Sequence, residues 1–226
     1  MIKKYAVIVA GGSGTRLGGD LPKQFQSLNG RPVLWWSMKA FHDEDADTQI
    51  ILVLNRDFVD TWKSLYDGLP EEDKILHRIA SGGDSRTQSV KNGIATVPFS
   101  EDVLIAVHDA ARPLVTVKMI ASGWEAAKES GAAIPAVAVT DSLRRLSEEG
   151  SVAVDRKDFV AVQTPQVFKA TVLKGAYETN PSAVFTDDAS AVEAAGFKPV
   201  LFEGSYHNMK VTNPGDMEIA NTLLNA

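Results

Sequence analysis

Apolar and polar positions follow two rhythms along this chain. Short continuous apolar runs, "YAVIV" (5–9), "QIILVL" (49–54), "KILHRIA" (74–80), "DVLIAVH" (102–108) and "AAIPAVAV" (132–139), predict buried strands. Between them the spacing is helical. "PVLWWSMKAFH" (32–42) places Pro32 in a first turn. "DSRTQSVKNGIATV" (84–97) opens on a capping residue and sets Val90, Ile94 and Val97 on one face. Further helices are predicted around 57–66 and over 116–128. Strand–helix alternation with fully apolar strands predicts an α/β, Rossmann-like fold: a mostly parallel sheet covered by helices on both faces.

Beyond position 139 the pattern changes. "VTDSLRRLSEEGSVAVDRKD" (139–158) is charged and poor in apolar residues, and reads as a projecting β-arm turning at "SEEGS" (147–151). Such a hairpin has too little core to stand alone, so contact with another subunit is expected; a plain surface hairpin is the alternative. "FVAVQTPQVF" (159–168) returns to the sheet, "TDDASAVEAAG" (186–196) is a helix starting at Thr186, "PVLFEG" (199–204) and "NMKVT" (208–212) are strands, and a last helix runs from about Pro214. No linker is visible, so residues 1–226 are expected to form one domain with an arm at about 139–158.

The composition is that of an ordinary globular protein: 226 residues, 44% hydrophobic and 23% charged. No run is long enough for a membrane helix, and the apolar run at the N-terminus is too short for a signal sequence. The chain has no cysteine, which excludes disulfides and thiolate metal sites and is compatible with the expected cytoplasmic location. A net charge of −6 argues against nucleic acid or anionic membrane as a partner. A phosphate can still be held where a few cations converge.

The stretch "AGGSGTRLGGDLPKQF" (10–25) supplies such a place, at the carboxyl end of the first predicted strand. It is not a Walker A loop, since no Lys-Ser or Lys-Thr follows the glycines. Nor does it fit a dinucleotide fingerprint. Pro22 and the later glycines forbid the required helix, and the next strand ends too late to supply the acid, so a dinucleotide-dependent oxidoreductase is rejected. As one long loop it works: backbone amides at Gly11, Gly12 and Gly14 wrap a polyphosphate, with Arg16 and Lys23 adding charge. A flexible surface loop would explain the glycines but not the two cations.

Gly-Gly-x-Gly-x-Arg followed by Pro-Lys-Gln resembles the loop of nucleotidyltransferases. "HDAARP" (108–113), "VDR" (154–156), "QTPQ" (163–166), "TDDAS" (186–190) and "NMKVT" (208–212) resemble, in order, the motifs of the 2-C-methyl-D-erythritol 4-phosphate cytidylyltransferase family, over nearly the whole chain. The resemblance implies a reaction of CTP with 2-C-methyl-D-erythritol 4-phosphate, giving 4-diphosphocytidyl-2-C-methyl-D-erythritol and pyrophosphate, in non-mevalonate isoprenoid precursor biosynthesis. It implies Arg16, Lys23 and Lys210 as catalytic cations. Ala10, Gly11, Gly12, Gly14, Gly83, Asp84 and Ser89 are implied in CTP binding, and Arg112, Ser142, Arg156 and Thr164 in binding the polyol phosphate. The family often has threonine where Ser142 stands; serine keeps the hydroxyl. The implied cofactor is Mg²⁺, held by Asp109, and the implied assembly is a homodimer in which the arm carries Arg156 to the neighbour's site.

Alternatives attach to several of these residues. Asp109 could merely cap the next helix, and Lys210 could be a solvated strand-end lysine. His108 is expected to be structural. Asp187 and Asp188 are expected to complement a helix N-terminus rather than hold metal. Competing functions are a ribitol 5-phosphate cytidylyltransferase, against which Ala111 argues, and a nucleotide-binding regulatory module without catalysis, against which Arg16, Lys23, Asp109, Arg156 and Lys210 together argue.

Overall fold

A period-two split of side chains runs through the central strands of the protein, seen in a computed structural model that describes residues 2–11, 21–179 and 181–225. The elements are, in order, β1 (Lys3–Ala10), β2 (Ser27–Leu28), β3 (Arg31–Pro32), α1 (Val33–Glu44), β4 (Gln49–Leu54), α2 (Val59–Asp67), β5 (His77–Ser81), α3 (Arg86–Ala95), β6 (Val103–Asp109) and α4 (Val117–Ser130). There follow β7 (Ala132–Ala138), β8 (Leu143–Ser147), β9 (Gly150–Val154), β10 (Val160–Val162), β11 (Gln166–Lys169), α5 (Ala170–Thr179), α6 (Asp188–Ala194), β12 (Val200–Glu203) and α7 (Pro214–Leu224).

The sheet has eight strands in the order β10-β7-β11-β6-β1-β4-β5, with β12 paired to β7. β5, β4, β1 and β6 are mutually parallel. β11 runs antiparallel to both β6 and β7. From β1, Ala6, Ile8 and Ala10 face one core, where they meet Leu34, Met38 and Phe41 of α1 and Ile120 and Trp124 of α4. Tyr5 and Val7 face the other core, with Val90 and Ile94 of α3, Leu173 of α5 and Val192 of α6. Burying both faces is what makes these strands apolar at every position. Each fully buried large side chain, such as Trp124, contributes roughly 2–3 kcal/mol.

Gly93 lies inside α3, where glycine costs about 1 kcal/mol relative to alanine. A Cβ there would stand 2.6 Å from Val7 Cγ1 and 2.8 Å from Val53 Cγ2, so its absence lets the helix backbone rest directly on β1 and β4.

Several boundaries differ from the sequence pattern. The strand expected over 74–80 begins only at His77, because a 3₁₀ turn at Glu71–Asp73 precedes it. Ser85, not Asp84, caps α3, its hydroxyl accepting the Gln88 N–H. The run 159–168 is two strands, since Gln163–Pro165 leave the ladder; the Thr164–Pro165 bond is cis. Helix α5 follows, unanticipated. Residues 208–212 are irregular, opening on a tight turn in which Met209 N donates to His207 O, and form no strand. The arm does form a hairpin, β8 with β9, closed at Ser147 and Gly150. It pairs with no other strand among the described residues. No helix among those residues is long and apolar enough to cross a membrane.

Candidate active site

The carboxyl ends of β1, β5 and β6 bring three loops together. β6 is buried along its whole length and delivers His108 and Asp109 to the rim. The Asp109 N–H donates to Thr164 Oγ1 at 3.0 Å, and Thr164 Oγ1 lies 3.1 Å from His108 Nδ1. His108 Nε2 faces Arg112 O at 3.2 Å. A carbonyl only accepts, so Nε2 carries the proton and Nδ1 accepts from the Thr164 hydroxyl. Full burial pushes the His108 pKa down to about 4 and keeps the ring neutral. The imidazole therefore braces the turn that presents Asp109, as the sequence led us to expect.

Three cations surround the Asp109 carboxylate. Lys210 Nζ lies 2.9 Å and Arg112 Nε 3.5 Å from Oδ2, while Arg86 Nε lies 3.7 Å from Oδ1. Burial alone would raise this carboxyl; Lys210, Arg86 and Arg112 outweigh it and hold the group well below the usual carboxylate range.

The irregular segment before α7 is stitched into this centre. Val211 N donates to Ala111 O at 2.8 Å, Arg112 Nη1 to Asn208 O at 2.8 Å, and Asn208 Nδ2 to Thr164 O at 2.8 Å. Lys23 Nζ donates to Val211 O at 2.7 Å, so the lysine after Pro22 meets the chain next to Lys210. Beside them, Gln24 Nε2 donates to Ala10 O at 2.9 Å. Gly83 N donates to Ser89 Oγ at 3.0 Å. A Cβ on Gly11 would come within 3.0 Å of the same hydroxyl, so the ends of β1 and the Gly83 loop nearly touch. Gly83 could not carry a side chain without striking Gln88 Cγ at 2.3 Å.

The structure thus gathers Lys23, Lys210, Asp109 and Arg112, and beside Ala10 it places Gly11, Gly83 and Ser89. Asp84 is exposed on the same loop. Gly12, Gly14 and Arg16 lie outside the described residues.

Thr164 is 5% exposed, and its hydroxyl is engaged by Asp109 N and His108, so its side chain braces the turn that carries Asp109. Asp187 caps α6 and Asp188 stands in its first turn, as expected. Asp188 is also fully buried and takes Arg86 Nη2 at 2.6 Å and the Tyr177 hydroxyl at 2.6 Å, an ion-pair centre that the sequence did not signal. Ser142 and Arg156 stand apart at the base of the arm. Both are exposed, and Arg156 donates to Thr140 O of its own chain. Arg86 and Asn208 were missed by sequence reasoning; Arg86 opens α3 beside "GGDS", the one local signal for it.

The donor set also bears on metal. Among the described residues no three His, Cys, Asp or Glu cluster. A lone carboxylate fits Mg²⁺ when phosphate oxygens and water supply the remaining ligands, and Asp109 at a cation-lined rim is such a group.

Comparison with known proteins agrees with this geometry. The family model described as 2-C-methyl-D-erythritol 4-phosphate cytidylyltransferase matches residues 4–226. Proteins of that name from Bacteroides thetaiotaomicron and Bacteroides fragilis are 45% and 46% identical, covering 99% and 98% of this chain and 100% and 99% of theirs. The crystal structure of the protein of that name from Thermus thermophilus superposes with a TM-score of 0.77 at 30% identity, covering 100% of both chains. The chain is a nucleotidyltransferase of the 2-C-methyl-D-erythritol 4-phosphate cytidylyltransferase family.

Proposed function

We propose that the cations around Asp109 carry out the family's reaction in this chain: CTP and 2-C-methyl-D-erythritol 4-phosphate give 4-diphosphocytidyl-2-C-methyl-D-erythritol and pyrophosphate. The observation that carries the assignment is the convergence of Lys210, Arg112 and Arg86 on one buried-edge carboxylate beside the Gly83–Ser89 loop, with Lys23 held next to Lys210 through Val211 O.

The polyol phosphate is already a nucleophile at neutral pH. Its oxygen bonds to the CTP α-phosphorus while the bond to the pyrophosphate oxygen breaks, and no covalent enzyme intermediate is needed. The protein's task is to bring two anions together and stabilise the charge that develops. Arg16 and Lys23 are assigned to the triphosphate. Lys210, released from Asp109, holds the incoming phosphate together with Arg112. Gly83, Asp84 and Ser89, with backbone groups at Ala10 and Gly11, read the cytosine, while the amides of Gly11, Gly12 and Gly14 wrap the triphosphate. Asp109 would hold Mg²⁺, which when bound supplies positive charge between the phosphates.

Ser142 and Arg156 are assigned to the polyol phosphate of a partner subunit's site. Leu146, Val152, Phe159 and Val160, all exposed on and beside the arm, support burial against a second copy. On this reading residues 1–226 act as one cytoplasmic catalytic domain with an arm at about 139–158. The test is pyrophosphate release from CTP with each polyol phosphate offered singly. Turnover with 2-C-methyl-D-erythritol 4-phosphate is expected; turnover with ribitol 5-phosphate alone, or with neither, defeats the assignment.

A further inference from the structure

Behind Asp109 lies a buried charge network that the assignments above do not use. Arg86 Nη2 donates to Asp188 Oδ2 at 2.6 Å, and Tyr177 Oη donates to Asp188 Oδ1 at 2.6 Å. Asp188 is fully buried. The same guanidinium turns its Nε towards Asp109 Oδ1 at 3.7 Å, the oxygen not taken by Lys210 or Arg112. Among the described residues its Nη1 is buried without a hydrogen-bond partner. A guanidinium serving Asp188 alone would set two nitrogens on that carboxylate; Arg86 sets one there and turns Nε to Asp109. Next to it, Thr87 Oγ1 donates to Phe185 O at 3.2 Å and accepts Phe185 N at 2.9 Å. The start of α3 is thus tied to the segment before α6 at two adjacent residues.

We propose that Arg86 is a positioning residue for the transfer step. It joins the loop assigned to the nucleobase to the carboxylate assigned to the phosphates, and it holds Asp109 from the side opposite Lys210. The division of labour follows from exposure. Lys210 has a side chain 42% exposed and is free to move to a substrate phosphate. Arg86 is anchored by Asp188 and Tyr177 and stays. When Lys210 departs, Arg86 still fixes Oδ1, so the nucleotide bound by the Gly83–Ser89 loop meets Asp109 in a constant register. Misplacement by a fraction of an ångström costs rate rather than affinity.

This inference rests on the role given to Asp109 above. Arg86→Gln alone would leave Asp188 buried and unpaired, so two other variants are used. Arg86→Lys keeps the charge but loses the fork that reaches both carboxylates. The double variant Arg86→Gln/Asp188→Asn removes both charges and keeps the shape. Rates are taken per folded CTP-binding site.

In Arg86→Lys, kcat is expected to fall about tenfold with KM for CTP within about twofold. The double variant is expected to lose more than Arg86→Lys, because the lysine still places charge near Oδ1. A purely structural staple would lower melting temperature and leave kcat per folded site unchanged. Parent-like kcat in folded Arg86→Lys overturns the proposal, whether or not the double variant folds. So does a folded double variant faster than Arg86→Lys. Asp109→Asn, measured alongside, separates the two levels: if it keeps the parent rate, the role of Asp109 falls; if it loses the rate while the Arg86 variants keep it, only this inference falls.

Discussion

Lys210 Nζ sits 2.9 Å from Asp109 Oδ2, so in the substrate-free protein a cation assigned to catalysis is latched to the carboxylate assigned to metal. Substitution of Asp109 by asparagine keeps the shape and removes the charge. Because loss of a mere outer-shell partner already weakens metal binding by about 10–100-fold, the Mg²⁺ concentration for half-maximal activity is expected to rise at least about tenfold. A Mg²⁺ titration that superposes on the parent would make Asp109 a partner for Lys210 and nothing more.

Lys23 reaches Val211 O at 2.7 Å and so lies beside Lys210. Its charge matters most when the α-phosphate charge develops. Lys23→Ala is expected to lower kcat about 100-fold, with a smaller change in CTP affinity. Steady-state kinetics on a variant whose circular dichroism matches the parent decides it; near-normal kcat removes Lys23 from the mechanism.

Thr164 tests whether a buried hydroxyl serves the Asp109 turn or the substrate. Thr164→Val strands the Asp109 N–H and the His108 Nδ1 lone pair in the interior, costing about 2 kcal/mol of unfolding free energy. Thr164→Ser should be close to parent in both stability and kinetics. If instead the valine variant keeps its stability and raises KM for the polyol phosphate, the hydroxyl contacts substrate after all.

Arg156 is the sharpest test of assembly. Arg156→Ala is expected to raise KM for the polyol phosphate about tenfold or more and KM for CTP little. Mixing it with Lys23→Ala should restore activity at about a quarter of all sites, those joining an intact Lys23 to a partner's intact Arg156. Verified mixed dimers without activity would refute action across the interface.

One buried and one half-buried imidazole set an acid limit. Burial holds His108 at about 4 and lowers His77, which accepts the Trp62 indole N–H at 3.0 Å. Above the ordinary histidine pKa both are neutral in both states. Below it the unfolded chain gains protons that the folded chain refuses, so stability falls as pH falls through the window between about 6.5 and 4. For His108 alone the loss is about 2 kcal/mol at about pH 5 relative to about pH 8. Denaturant unfolding in metal-free buffer measures it, and a flat profile across that window would mean the rings are solvated. Asp109, held low, stays ionised throughout.

Legibility in the sequence tracked how local the cause was. β1, β4 and β6 were readable because burial on both faces leaves a continuous apolar run. Ser85 and Asp187 cap helices by contacts within a few residues, so a start could be placed within a residue or two. The Gln163–Pro165 break was hidden inside "FVAVQTPQVF", whose apolar ends look like one strand. Helix α5 contains Gly175 and opens without a polar cap, and nothing marked its start. In the candidate site, Lys23, Lys210, Asp109 and Arg112 were found through motifs. Asp188 was placed at a helix start, but its pairing with Arg86 was not, because the two are 102 residues apart, a separation no local pattern encodes.

Gly93 carries a consequence for how this enzyme can change. With the backbone at Gly93 facing Val7 Cγ1 and Val53 Cγ2, the height of α3 above the sheet is set by two β-branched side chains that are stiff at χ1. Ser89 lies one turn along that helix and Arg86 at its start. A substitution at Val7 or Val53 is therefore expected to shift α3 and with it the gap between Gly11 and Ser89. A methyl group at position 93 would push the helix off both valines and open the same gap from the other side.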